Sequence, residues 1–188
     1  MLALPARAGS GPLLVLLVIL LAGAALRLNY NEVTVNATAV QGDALNYVRY
    51  ALNLIDHGTF SKDVRNLPPV PDAYWAPGYP AFLAGLFLLA AELGIDSLSL
   101  LLVTQVVMGT LTILVAFLLA AMFMPRGWAL LPALLVALSP HLVAIGQNVL
   151  TETVFTLLLV IAVYCFSRGL VAGRGRWLLA AGISLALA

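Results

Sequence analysis

The chain is built of long apolar stretches parted by short polar ones. Residues 8–26, 97–125, 127–151 and 153–167 contain no Asp, Glu, Lys or Arg. A helix needs about 20 such residues to cross the ~30 Å hydrocarbon core of a bilayer. The first three runs are long enough, and flanking residues extend the fourth. Residues 73–91 are also uncharged, but they open with Tyr74, Trp75, Pro77 and Pro80, and their purely apolar part, 81–91, is short. This predicts a half-embedded or re-entrant helix over 80–91. Ser139-Pro140 lies inside the run 127–151 and predicts a break there. The last apolar stretch, 177–188, makes only about 18 Å of helix, less than a span. The chain therefore reads as the N-terminal part of a longer polytopic protein, with a short interfacial helix as the alternative.

The stretch 29–72 is different in kind. Gly42-Asp43 opens a helix over about 43–56, and Gly58 stops it. On a helical projection Ala44, Leu45, Val48, Ala51, Leu52 and Ile55 share one side. Asp43, Asn46, Tyr47, Tyr50, Asn53 and His57 share the other. That pattern predicts an amphipathic helix lying on the membrane surface, apolar face down. Its upper face would offer a carboxylate, phenols and amides, groups that suit a sugar.

Composition sharpens the class. The 188 residues are 63% hydrophobic and 9% charged, against about 25% charged in soluble domains. A soluble protein and a disordered one are both excluded. The net charge of +1 leaves no basic excess for phosphates, so no nucleic acid is expected as a partner. The single cysteine, Cys165, permits neither an internal disulfide nor a cysteine-based metal cluster. The expected fold is all-α, a polytopic transmembrane helical bundle with an amphipathic interfacial helix in a long first outer loop.

Basic residues orient it. Arg7, Arg126, Arg168, Arg174 and Arg176 all fall on the cytoplasmic side if the first run goes out, 97–125 comes in, 127–147 goes out and 153–167 returns. Residues 80–91 then cannot cross. Counting them as a span inverts everything after them. Three parts follow: 1–28, a cytoplasmic N-terminus and first span; 29–76, an outer periplasmic loop with the helix 43–56; and 77–188, further membrane helices. The first run acts as a signal anchor; its Ala22-Gly23-Ala24 also fits a cleaved signal peptide. Asn36-Ala37-Thr38 matches the N-glycosylation pattern.

The chemistry must lie in the few polar residues. Asp43 at a helix start suits an N-cap or a general base, and the roles are compatible because a capping carboxylate keeps one oxygen free. Asp56, Asp63 and Asp72 read as solvated loop residues, and His57 as a hydrogen-bonding one. Ala76-Pro77-Gly78-Tyr79-Pro80 fixes a turn before a helix. Tyr74, Trp75 and Tyr79 form either an interfacial belt or a substrate platform. Glu152 is the only acid after residue 126. At a span boundary it faces a cavity or partner, or serves as a helix-start acid favoured by the macrodipole. Asp43 and Glu152 share the outer side. Together they could divide base and binding roles, clamp an Arg, or hold a divalent metal such as Mg²⁺ or Mn²⁺ through oxygen. Tyr47, Tyr50, Tyr79 and Asn148 are the candidate substrate-binding residues.

These residues also carry a resemblance. A first span, then Gly42-Asp43-x-x-x-Tyr47-x-x-x-Ala51-x-Asn53-Leu54 with Gly58 and Phe60, then Ala76-Pro77-Gly78-Tyr79-Pro80-Ala81-Phe82-Leu83-Ala84, resembles the bacterial ArnT-like and Rgt-like branch of the protein mannosyltransferase group. That group belongs to the GT-C superfamily of polytopic glycosyltransferases. Ser139-Pro140 followed by Leu150-Thr151-Glu152 and a new span fits the same pattern. The resemblance implies transfer of a sugar from a polyprenyl-phosphate donor, on the outer face of the cytoplasmic membrane, to a lipid, glycan or protein acceptor. It assigns Asp43 as general base and Glu152 as the second acid. Ala44 and Ala76 depart from it, standing where many relatives have an acid and some a Lys or His; Arg49 and Arg65, the outer-loop arginines, match no motif of it. Two other readings compete: a transporter or flippase subunit, which Ser139-Pro140-His141 would suit as a broken helix, and a non-catalytic membrane scaffold built on small-residue packing.

Overall fold

The computed structural model describes residues 11–34, 40 and 42–188; Arg7 and the Asn36-Ala37-Thr38 pattern lie outside them. The described residues form α1 (Gly11–Val33), α2 (Asp43–His57), α3 (Gly78–Leu93), α4 (Ser97–Ala120), α5 (Arg126–Leu138), α6 (Pro140–Ile145), α7 (Glu152–Ala172) and α8 (Gly175–Leu187). The chain is a helical membrane bundle. α1, α4 and α7 are long and apolar enough to cross a bilayer. The run 127–151 is divided between α5 and α6, because Ser139 is extended and caps α6 by accepting from the Leu142 N–H.

Packing fixes the relative directions. Leu16 and Ile19, near the start of α1, share a cluster with Phe117 and Ala120 at the end of α4 and with Ala129, Ala133 and Ala137 of α5. At the other end of α1, the Tyr30 carbonyl accepts from Gln147 Nε2 at 2.6 Å, just past α6. α1 and α5 therefore run together, and α4 runs against them. The small residues of α5 let the backbones approach closely. Leu101, one turn into α4, clusters with Ala44, Tyr47 and Ala51 of α2 and with Tyr79, Leu83 and Ala84 of α3. The first turns of α3 thus pack against α2 and the start of α4.

Two expectations are corrected. The wheel of α2 places its apolar face down and its phenols free; instead Tyr47 and Tyr50 are buried, while Leu45 and Leu52 are 36% and 45% exposed. The buried stripe cuts across the two sides of the wheel: Ala44, Tyr47, Tyr50 and Ala51 are buried, and Asp43, Leu45, Leu52 and His57 are exposed. Arg27 marks the end of a charge-free run, yet α1 continues past it and the side chain is only 3% exposed. Its Nη1 donates to Gly23 O (3.0 Å) and Ala137 O (3.3 Å), and its Nη2 to Val136 O (3.3 Å). Pro140 lacks the N–H that would serve Val136 in a continuous helix, so the guanidinium supplies the break with donors from a neighbouring helix.

Gly109 makes the room. A Cβ there would stand 2.7 Å from Arg27 Nε and 3.2 Å from its Cδ. Those atoms are mid-chain and cannot swing aside while the guanidinium stays on its carbonyls. Gly109→Ala is therefore expected to destabilise the bundle by about 1–3 kcal/mol, measured as the unfolding midpoint in detergent. An unchanged midpoint would show that the guanidinium has other room.

Candidate active site

Three helix starts meet on one side of the bundle. Gly42, at φ 57°, turns the chain into α2, so Asp43 occupies its first turn. Gly58 ends the helix in the left-handed conformation, its N–H returning to Leu54 O. Pro77-Gly78 starts α3, with Ala81 N–H donating to Pro77 O at 3.0 Å. Thr151 precedes α7, whose first residue is Glu152.

The Tyr47 hydroxyl lies where these starts converge. It pairs with the Thr151 side chain and feels the charges of both Asp43 and Glu152. Burial, first, and then those two carboxylates raise its pKa above the ordinary tyrosine value, against the Thr151 contact. The Tyr47 ring packs edge-on against Trp75 and Tyr79, each at 5.0 Å between centroids. Asp43 and Glu152, which are themselves exposed, thus act through space on one phenol from distant segments.

A groove of about 490 Å³ opens beside this point. Tyr47, Trp75, Tyr79, Phe82, Thr151 and Phe155 line it, and the end of α8 closes one flank. Its walls are apolar and aromatic. Two buried donors at it, Trp75 Nε1–H and the Tyr79 hydroxyl, have no acceptor among the described residues. An unsatisfied buried donor costs about 1–3 kcal/mol, so the two mark where an oxygen-rich ligand would be held.

The other candidates are engaged elsewhere. Tyr50 is fully buried, stacks on Phe60 and donates its hydroxyl to Asp72. Asn148 sits in the turn after α6, where its carbonyl accepts from Gln105 Nε2 (3.0 Å) and its amide donates to Ala144 O (3.4 Å). Gln105, 2% exposed, also accepts from Thr153 Oγ1 at 3.5 Å. It therefore braces the residues on both sides of Glu152 from inside the bundle.

Asp63 and Asp72 are not free loop acids. Asp72 accepts from Tyr50, from the N–H of Lys62 (3.1 Å) and from the N–H of Tyr74 (3.2 Å). Burial pushes its pKa up, but these donors outweigh it and hold the group below the usual carboxylate range. Burial and then Asp72 push Tyr50 up to about 12. Asp63 accepts from Asn66 Nδ2 (2.6 Å) and from the N–H groups of Arg65 (2.8 Å) and Val70 (3.3 Å), which lower it to about 2. A depressed folded value gives stability that is whole above the unfolded pKa of about 4 and is lost as pH falls through the folded one. Deuterium uptake of 59–75 should therefore rise between pH 4 and 2, and Asp63→Asn should abolish that step. A step that persists in the variant would assign it to another group.

No cluster of three or more His, Cys, Asp or Glu able to hold a metal occurs among the described residues. Mg²⁺ is commonly held by one or two carboxylates with water and substrate phosphate completing its shell, so Asp43 and Glu152 could hold such an ion only together with a phosphate-bearing ligand.

Residues 75–188 match the family model for dolichyl-phosphate-mannose-protein mannosyltransferase. No curated protein and no solved structure matches the chain.

Proposed function

The chain belongs to the dolichyl-phosphate-mannose-protein mannosyltransferase family, and on that premise we propose that Asp43 is the general base of a sugar transfer on the outer face of the cytoplasmic membrane. The coarser activity follows from the family: a membrane glycosyltransferase that draws on a polyprenyl-phosphate sugar. In the proposed step the acceptor hydroxyl, from a lipid, glycan or protein, attacks the anomeric carbon. Its proton passes to an Asp43 oxygen. The bond from the anomeric carbon to the phosphate oxygen breaks, and polyprenyl phosphate leaves with the electron pair.

The observation that supports this reading is that the starts of α2 and α7, which carry Asp43 and Glu152, pack together beside the aromatic groove, with both carboxylates acting through space on the Tyr47 hydroxyl. The groove suits the apolar carrier and the face of a sugar ring. Trp75 and Tyr79 offer their unmatched donors to sugar or phosphate oxygens. Asp43 is exposed, so the bound donor itself would shield it from water, and a shielded carboxylate is a stronger base. Glu152 orients the acceptor.

The test is release and transfer of label from radiolabelled polyprenyl-phosphate sugars by proteoliposomes carrying the full chain. Transfer from at least one donor is the expected result. Turnover of none, by protein with intact helical content, would move the transporter and scaffold readings ahead.

A further inference from the structure

α2 divides the outer surface in two. The aromatic groove lies on its Tyr47 side. On the side of Asn46 and Arg49 lies an open polar basin of about 650 Å³, walled also by Lys62, Asp63, Arg65 and Asp72. The proposed sugar transfer makes no use of it.

The basin holds three cations and two carboxylates, but the two signs are not equivalent. Both acids are turned to the backbone. Asp63 takes three donors from its own loop, and Asp72 takes Tyr50, Lys62 N–H and Tyr74 N–H, with the Ser61 hydroxyl at 3.5 Å. The cations are not so engaged. Neither Arg49 nor Arg65 has a side-chain hydrogen bond or ion pair among the described residues. The Lys62 ammonium lies 3.9 Å above the Tyr74 ring and acts on Asp72 only through space. Two guanidinium forks and an ammonium thus border one concavity whose two carboxylates keep their charge but have their oxygens bonded to loop donors and Tyr50.

The level of the basin suggests the ligand. α2 exposes Leu45 and Leu52 one turn to either side of Arg49, and apolar and cationic side chains on one helix face suit the headgroup level of a bilayer. A guanidinium fork matches the paired oxygens of a phosphate. The carboxylate-braced loop holds Lys62 and Arg65 in place beforehand, which lowers the ordering cost of binding.

We propose that the basin formed by Arg49, Lys62 and Arg65 is a second anion site that binds a phosphate group at the outer membrane surface. The phosphate belongs either to an anionic lipid headgroup or to a soluble phosphate. The inference does not depend on the sugar transfer, and no glycosyl transfer enters its test.

The full chain is placed in phosphatidylcholine nanodiscs, as wild type and as Arg49→Gln/Arg65→Gln. Inorganic phosphate is titrated by ³¹P line broadening. In parallel, phosphatidylglycerol is added at low fraction and its retention is read by native mass spectrometry. Phosphate binding weakened at least tenfold by the double variant assigns the soluble source. Absence of phosphate binding, with phosphatidylglycerol enrichment lost at least tenfold in the variant, assigns the headgroup. Equal behaviour of wild type and variant in both arms, or binding in neither, overturns the proposal. Arg49→Lys/Arg65→Lys keeps the charge without the fork and should retain part of the binding; amide exchange over α2 confirms that each variant is folded.

Discussion

Asp43→Asn is expected to slow sugar transfer by at least ~100-fold while leaving the fold intact, the size of effect typical of a lost general base. The separation of the two readouts is what decides the role of this residue. Asp43 is in the first turn of α2, one residue after the Gly42 cap position, and no side chain caps the helix there. An Asn in its place keeps the shape and loses only the favourable interaction of a negative charge with the helix start, about 0.3–1 kcal/mol. A purely structural Asp43 therefore predicts a small stability loss and unchanged turnover. A base predicts the reverse. Equal transfer by both proteins would sink the assignment. Glu152→Gln separates the second carboxylate in the same assay: a positioning role raises KM more than it lowers kcat.

How far the sequence foretold this site depends on which physical signal each residue left. The glycines at 42 and 58 adopt the positive φ values that side chains resist, so the ends of α2 were readable to within about two residues. Ser139-Pro140 broke its helix as the missing N–H requires. The charge-free runs located α1, α4 and α7 for the same reason that lipid demands them. The faces of α2 were a different matter. A wheel separates two faces but does not say which residues of each are covered, and here Ala44 and Ala51 are buried with Tyr47 and Tyr50 while Leu45 and Leu52 stay exposed. The loop carboxylates were misjudged on composition, although Asp63 two residues before Arg65 is a spacing at which an Asp oxygen takes a backbone N–H. The packing of the start of α2 against the start of α7 depends on contacts between segments about a hundred residues apart, which no local pattern encodes.

Arg27 was misread for a reason that also gives the second large prediction. Counting charge-free residues treats every Arg as a boundary, yet a guanidinium is tolerated inside a bundle where it finds acceptors. Arg27 finds Gly23, Val136 and Ala137, and no carboxylate lies against it among the described residues. Removing it has two opposing consequences. It relieves the burial of a charge, and it leaves the carbonyls at the end of α5 without donors, at about 1–3 kcal/mol for each buried group. The sum for Arg27→Met alone is a difference of large terms, but its dependence on Pro140 is not. Pro140→Ala restores the N–H that Val136 lacks, so Arg27 has less to do in that background. Arg27→Met is therefore expected to cost about 1–3 kcal/mol more with Pro140 present than in the Pro140→Ala background. The measurement is a double-mutant cycle on unfolding in detergent micelles. Additivity to within about 0.5 kcal/mol would mean that the arginine and the break are neighbours without being coupled. A coupling of the expected sign would mean that the bundle keeps its broken helix, and with it the α6–α7 turn that carries Glu152, by means of a charge from α1.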